Sequence, residues 1–97
     1  MAMHNPPHPG EFIATEYLAP LGVSVRRLAS LLDVPPSTLA RVVRCERAVT
    51  PELALRLSIA LGRSPESWLA MQHNFDLWRA RRHINLRRVK KLHVDAA

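Results

Sequence analysis

Residues 25–50, VRRLASLLDVPPSTLARVVRCERAVT, constrain the fold more than any other stretch, because Asp33-Val34-Pro35-Pro36 forces a break between two short amphipathic runs. Ser24 is a good N-cap, and Val25, Leu28, Ala29 and Leu32 follow at the i, i+3, i+4, i+7 spacing of one buried helical face. Val34 is the apolar plug between the two helices, and Pro36 sits in the first turn of the second, where its missing N–H costs nothing. In that second helix Leu39, Val42 and Val43 face inward, while Ser37, Thr38, Arg41 and Arg44 fall on the outer side. So short a helix is held by packing more than by propensity. A loop from Cys45 to Val49 then carries Glu46 and Arg47.

The rest of the chain reads as helices around this pair. Residues 1–10, MAMHNPPHPG, hold three of the eight prolines and read as an extended arm, since each proline removes a donor and restricts its predecessor. Residues 11–82 form the domain. Its first two turns run from Glu11 to Leu18, with Phe12 and Tyr17 turned inward, and end at Pro20 and Gly22. Thr50-Pro51-Glu52 starts a further helix, with a cap, a first-turn proline and an acid at the positive end of the dipole. Leu53, Ala54, Leu57 and Leu61 supply its core face, and Gly62 is placed to end it in a left-handed conformation. Ser64-Pro65-Glu66 repeats the same start, and Trp68, Met71, Phe75 and Trp78 follow as an aromatic-rich stripe. The leucines and valines of the other helices can fill a core of this size. Trp68, Met71, Phe75 and Trp78 are therefore candidates for a dimer interface as well as for the core. The tail, residues 83–97, contains INLRRVKKL, which can form a short sixth helix capped by Asn85, with Leu86, Val89 and Leu92 on one face.

At 97 residues this is a single all-α domain. No apolar run approaches the roughly 20 residues of a membrane span, and residues 1–10 lack the design of a signal peptide. A cytoplasmic protein with no membrane partner is expected. Cys45, the one cysteine, suits a reducing compartment and reads as a small filler. The net charge of +6 is concentrated at one end: residues 79–97 carry seven basic groups and one acid, and the seven basic and seven acidic groups of residues 1–78 cancel. Such a distribution fits a polyanion partner or a solvated face. His4 and His8 are separated by prolines and have no acid or cysteine partner nearby, so neither a metal nor another cofactor is expected. No Ser-His-acid set or glycine-rich phosphate loop points to an enzyme, and His73 and Asp76 read as a surface pair.

Double-stranded DNA asks a small reader for cations along the phosphates and a narrow rigid element for the major groove. The helix pair offers both. Ser37 and Thr38 lie at the N-terminal end of the second helix, where hydroxyls and backbone N–H groups can meet phosphate or base edges. Arg41, one turn on, can make a bidentate contact to guanine, Arg44 and Arg47 lie toward the helix end, and Arg26 or Arg27 can hold the flanking backbone. An ordinary helical hairpin with a polar outer face fits the same spacing.

Several stretches in order, NPPHPGE at 5–11, the span from Leu21 to Leu32, VPPSTLARVV at 34–43, TPELALRLSIALG at 50–62 and SPESWLAMQHNFDLW at 64–78, resemble HigA-type antitoxins of the XRE helix-turn-helix family. The PHPGE and SPESWL…DLW segments are more specific than the helix pair itself. The resemblance implies a five-helix lambda-repressor-like domain, a homodimer on a palindromic operator in its own promoter, and a cognate RelE/HigB-like ribonuclease toxin held inactive. It implies base-facing roles for Ser37, Thr38 and Arg41. Two positions depart from the pattern. Cys45-Glu46 stands where a glycine-lysine pair is common, which removes a flexible cap and reverses a charge; Arg44 and Arg47 flank it and can restore the phosphate contact. Pro35 stands where many members have a serine cap. Two other functions fit the residues: a stand-alone repressor without a toxin partner, and a toxin-covering module with little DNA binding.

Overall fold

A computed structural model describes residues 5–94, and among them the fold is five helices with no strand. Helix α1 covers residues 9–21 in three contiguous pieces, with Pro9–Ile13 and Ala19–Leu21 α-helical and Ala14–Leu18 π-helical. It is followed by α2 (Val25–Leu32), α3 (Pro36–Val43), α4 (Pro51–Leu61) and α5 (Pro65–His83). Three helices start on the expected side-chain caps. The Ser24 hydroxyl accepts from the Arg27 N–H at 3.0 Å, Thr50 from Leu53 at 3.2 Å and Ser64 from Ser67 at 3.0 Å. Each such cap contributes about 1 kcal/mol by satisfying an orphan donor of the first turn.

Helix α1 begins at Pro9, which moves the expected boundary between arm and domain from residues 10/11 to 8/9. The reason is a cap that the sequence reading does not assign: His8 Nδ1 accepts from the Gly10 N–H at 2.9 Å, and Pro9 takes the first helical position. Only residues 5–8 of the arm are non-helical here, and Pro6 and His8 are buried against the domain. Residues 1–4, with His4, lie outside the described residues. At its other end α1 runs through Pro20 rather than stopping at Leu18. A π-helical turn makes this tolerable, because the Ala19 N–H already reaches five residues back to the Ala14 carbonyl and the ladder is shifted before the proline.

The core gathers Ile13, Leu28, Ala29, Leu32, Leu39, Val42, Val49, Leu53, Ala54, Leu57 and Trp68. Helix α1 packs on α3 and α5, α2 on α3 and α4, and α4 along α5. Trp68 is 0% exposed, with its indole N–H donating to the Gly62 carbonyl at 3.1 Å and Phe12 and Tyr17 packed against its ring. Trp68 is thus a core residue and not part of a dimer interface. The aromatic rings of α1 cover it, and its one polar atom is satisfied within the chain. The later members of the stripe are half-buried; Phe75 meets the His8 ring edge-on at 5.0 Å and Trp78 lies 6.0 Å from Phe75.

Two further expectations are corrected. Gly62 has φ 86° and ψ −166°, so it turns the chain through a glycine region beyond the left-handed helix, and Arg63 (φ 65°) takes the left-handed position. The sixth helix does not form. Asn85 accepts from the Arg87 N–H at 3.0 Å and the Val89 N–H meets the Leu86 carbonyl at 3.0 Å, but this single turn does not propagate. Leu86, Val89 and Leu92 are exposed, so no packing offsets the cost of nucleating a short helix. No helix among the described residues is long and apolar enough to cross a membrane.

Backbone meets backbone closely at Gly10, where a Cβ would lie 1.7 Å from the Val42 carbonyl oxygen. Both elements are main chain, so neither can swing aside. Gly10→Ala is expected to destabilise the domain by about 3 kcal/mol through overpacking, measured by denaturant unfolding; an unchanged midpoint would contradict this crossing.

Candidate nucleic-acid interface

Helix α3 presents its inner face, Leu39 and Val42, to the core and is backed by α1 and α2. Its outer face carries Ser37 and Arg41, both exposed, and the half-buried Thr38. Arg47, from the loop that follows, closes with these three around a shallow hollow of about 290 Å³. Thr38 and Arg47 also border a larger groove of about 470 Å³ between the turn and the start of α4. The structure thereby places four of the seven candidate DNA-binding residues together. Arg26 and Arg27, exposed on the first turn of α2, lie outside the hollow. At the start of α3 no side chain caps the helix: Pro35 supplies only its carbonyl, shared by the N–H groups of Thr38 (3.0 Å) and Leu39 (3.3 Å).

The end of α3 explains the unusual Cys45-Glu46 pair. The Glu46 N–H reaches back to the Arg41 carbonyl at 2.8 Å and the Cys45 N–H to Val42 at 2.9 Å, which is the six-to-one and five-to-two pairing of a Schellman cap. Cys45 occupies the left-handed position with φ 64°, where a non-glycine residue costs roughly 1–2 kcal/mol. Partial desolvation pushes its thiol above the ordinary range, which keeps it protonated. Arg44 is drawn back onto Glu46, its Nε at 3.1 Å and Nη2 at 3.4 Å from the two carboxylate oxygens. Arg44 is therefore held in an exposed, solvent-screened ion pair with Glu46.

Three residues that the sequence reading does not assign hold this surface in place. Arg56 of α4 donates from Nη1 to the Leu32 and Asp33 carbonyls, at 2.9 and 3.2 Å, and from Nη2 to Glu52 at 3.2 Å. It satisfies the open end of α2 and fixes the turn between the two helices. Its i, i+4 spacing from Glu52 is a visible signal in the sequence, but its reach to α2 is not. Gln72 is buried in α5; its Oε1 accepts from the Val49 N–H at 2.8 Å and its Nε2 donates to Asp76 at 3.0 Å. This tethers the loop that carries Arg47. His8 is the third. Burial lowers its pKa, and Arg79 adds to that, while the Asp76 and Glu11 carboxylates oppose it. A neutral ring is also what its capping bond requires, because Nδ1 must keep a lone pair for Gly10.

A short outward helix, hydroxyls at its start, one guanidinium on its free face and another from the following loop, and a second helix behind it define a helix-turn-helix protein of the DNA-binding class. The helix-turn-helix family profile matches residues 16–68. An uncharacterised HTH-type transcriptional regulator of Escherichia coli K12, YddM, is 38% identical over 92 residues, which are 95% of this chain and 97% of that protein. The structure of the antitoxin GraA superposes with a TM-score of 0.87 at 35% identity, covering 93% of this chain and all 100% of that one. Pseudomonas aeruginosa antitoxin HigA, solved with the higBA promoter, gives a TM-score of 0.75 at 32% identity over 78% of this chain and 83% of that one. The chain belongs to the helix-turn-helix family and, within it, to the HigA-type antitoxins.

Two outcomes follow from the caps. Because the folded-state pKa of His8 is lowered from about 6.5, the unfolded chain binds more protons in the window just below that value. Stability is then fully present above pH 6.5, falls as the pH drops through it, and levels off below the folded-state value. His8→Asn keeps an acceptor for Gly10 without titrating and is expected to flatten that slope; equal slopes for both proteins between pH 7.5 and 5 would exclude His8 as its source. Cys45→Gly relieves the left-handed position and is expected to raise stability by about 1 kcal/mol, read as a Tm about 5 °C higher.

Proposed function

We propose that this protein is a DNA-binding antitoxin that represses its own operon as a homodimer and neutralises a small RelE/HigB-like ribonuclease toxin. The observation that carries this reading is the grouping of Ser37, Thr38, Arg41 and Arg47 on the free side of α3, in a fold shared with a HigA antitoxin solved with its promoter. Arg41 reads guanine through its bidentate fork, Ser37 and Thr38 meet phosphate or base edges at the helix start, and Arg47 holds the adjacent backbone. Arg26 and Arg27 serve the flanking phosphates from α2. Two such helices in successive major grooves, about one DNA turn apart, block polymerase sterically. With Trp68 in the core, Met71, Phe75 and Trp78 are the members of the aromatic stripe left to contribute to a subunit seam. A protein with this working site is expected in the cytoplasm.

A second reading, a stand-alone repressor, is supported by the similarity over nearly the whole chain to a relative named only as a transcriptional regulator. The neighbouring gene separates the two, since a small basic ribonuclease-like reading frame beside this one favours the antitoxin.

Gel shifts on the DNA upstream of the gene test the assignment. Arg41→Ala is expected to weaken binding by about 1–3 kcal/mol and relax base preference; unchanged affinity would remove α3 from the reading role. Glu46→Gln frees Arg44 and is expected to tighten binding on all sequences alike, with a salt slope steeper by about 0.9.

A further inference from the structure

The C-terminal half of α5 borders the loop that follows α3. A hollow of about 100 Å³ is lined by Glu46 and Arg47 on one side and by His8, Phe75, Asp76 and Arg79 on the other. The chain leaves α5 after His83, one turn beyond Arg79: Ile84 is extended (φ −101°, ψ 134°), and residues 84–94 are exposed and, apart from one turn, irregular. The molecule measures 60 Å along its longest axis and 26 and 24 Å across the others. At the end of the recognition helix Arg44 shares its charge with Glu46 in an exposed ion pair, and residues 1–78 carry no net charge.

Resting on the DNA-binding reading above, we propose that Arg79 and the tail cations Arg87, Arg88, Lys90 and Lys91 form a clamp on the phosphate backbone of duplex DNA flanking the segment read by α3. Of the two carboxylates in the hollow, Glu46 is paired with Arg44, while Asp76, which accepts only from the neutral Gln72 amide, keeps its charge and is outnumbered by the five cations. Eleven extended residues reach about 35 Å, roughly ten base pairs of backbone at 3.4 Å each. Charge and pattern favour DNA over a protein groove or a membrane surface. There is no acid between Arg79 and Val94, and the cations Arg87, Arg88, Lys90 and Lys91 are interspersed among Leu86, Val89 and Leu92. The recognition helix then supplies sequence preference, and the tail supplies salt-sensitive affinity.

The test uses the full chain and two 40-base-pair duplexes, one taken from upstream of the gene and one of random sequence, with binding measured across a salt series. Replacing Arg87, Arg88, Lys90 and Lys91 together by Gln touches no packed side chain. It is expected to lower the slope of log K against log salt by about 3–4, at about 0.9 for each phosphate no longer neutralised, and to leave the ratio of affinities for the two duplexes unchanged. Arg79→Gln alone is expected to lower the slope by about 1. An unchanged slope in the fourfold variant, with the ratio intact, overturns the clamp and leaves the DNA reading standing. An unchanged slope with loss of a co-purifying protein also overturns it and assigns the tail to that protein. Wild-type protein that binds neither duplex overturns the clamp together with the reading on which it rests; Arg41→Ala, which moves the ratio and hardly the slope, tells the two surfaces apart.

Discussion

The crossing of Gly10 over the Val42 carbonyl is the contact on which the arrangement depends. A recognition helix of eight residues cannot hold itself in water. It stays in place because α1 lies directly on its last turn, with no side chain between the two backbones. The PHPGE segment is built for that approach: His8 caps α1, Pro9 fills the first helical position where its ring is harmless, and Gly10 leaves room for the Val42 carbonyl. The segment that reads as a loose arm is the buttress of the reading surface.

Around this contact the polar groups of the turn and loop are satisfied by long side chains from later helices. Arg56 closes the carbonyl end of α2 and Gln72 takes the Val49 N–H, so the connections before and after α3 are both tied to the frame formed by α4 and α5. Rigid placement of an outward helix is what recognition of a fixed groove requires, since a bidentate contact tolerates little misplacement. The same frame brings Arg79 and Arg47 onto one hollow, so the first cation of the basic end lies near the loop that follows the reading helix.

Much of this is legible in the sequence because it is local. Ser24, Thr50 and Ser64 act within one turn of themselves, and the inward faces of α2, α3 and α4 follow from a 3.6-residue period. The outer positions Ser37, Thr38 and Arg41 fall out as the complement of that buried face. What local reading misjudges depends on distant partners. Trp68 reads as surplus aromatic surface along the chain, yet Phe12 and Tyr17 pack against it in the fold. Pro20 reads as a stop, yet the π-helical turn absorbs it, and the run from Leu86 to Leu92 reads as helical although nothing covers its apolar face.

By itself, then, the sequence determined the starts of α2 to α5, the inward faces of α2, α3 and α4, the break at Asp33 to Pro36 and the concentration of charge after Trp78, because caps, prolines and periodicity act over one or two turns. The tertiary structure alone decided which of those surfaces are free. It buried Trp68, turned Arg44 onto Glu46, pressed Gly10 against α3 and set Arg79 beside the loop that follows the recognition helix. Those outcomes rest on contacts between residues far apart along the chain, and the distance between such residues is fixed only when the helices pack.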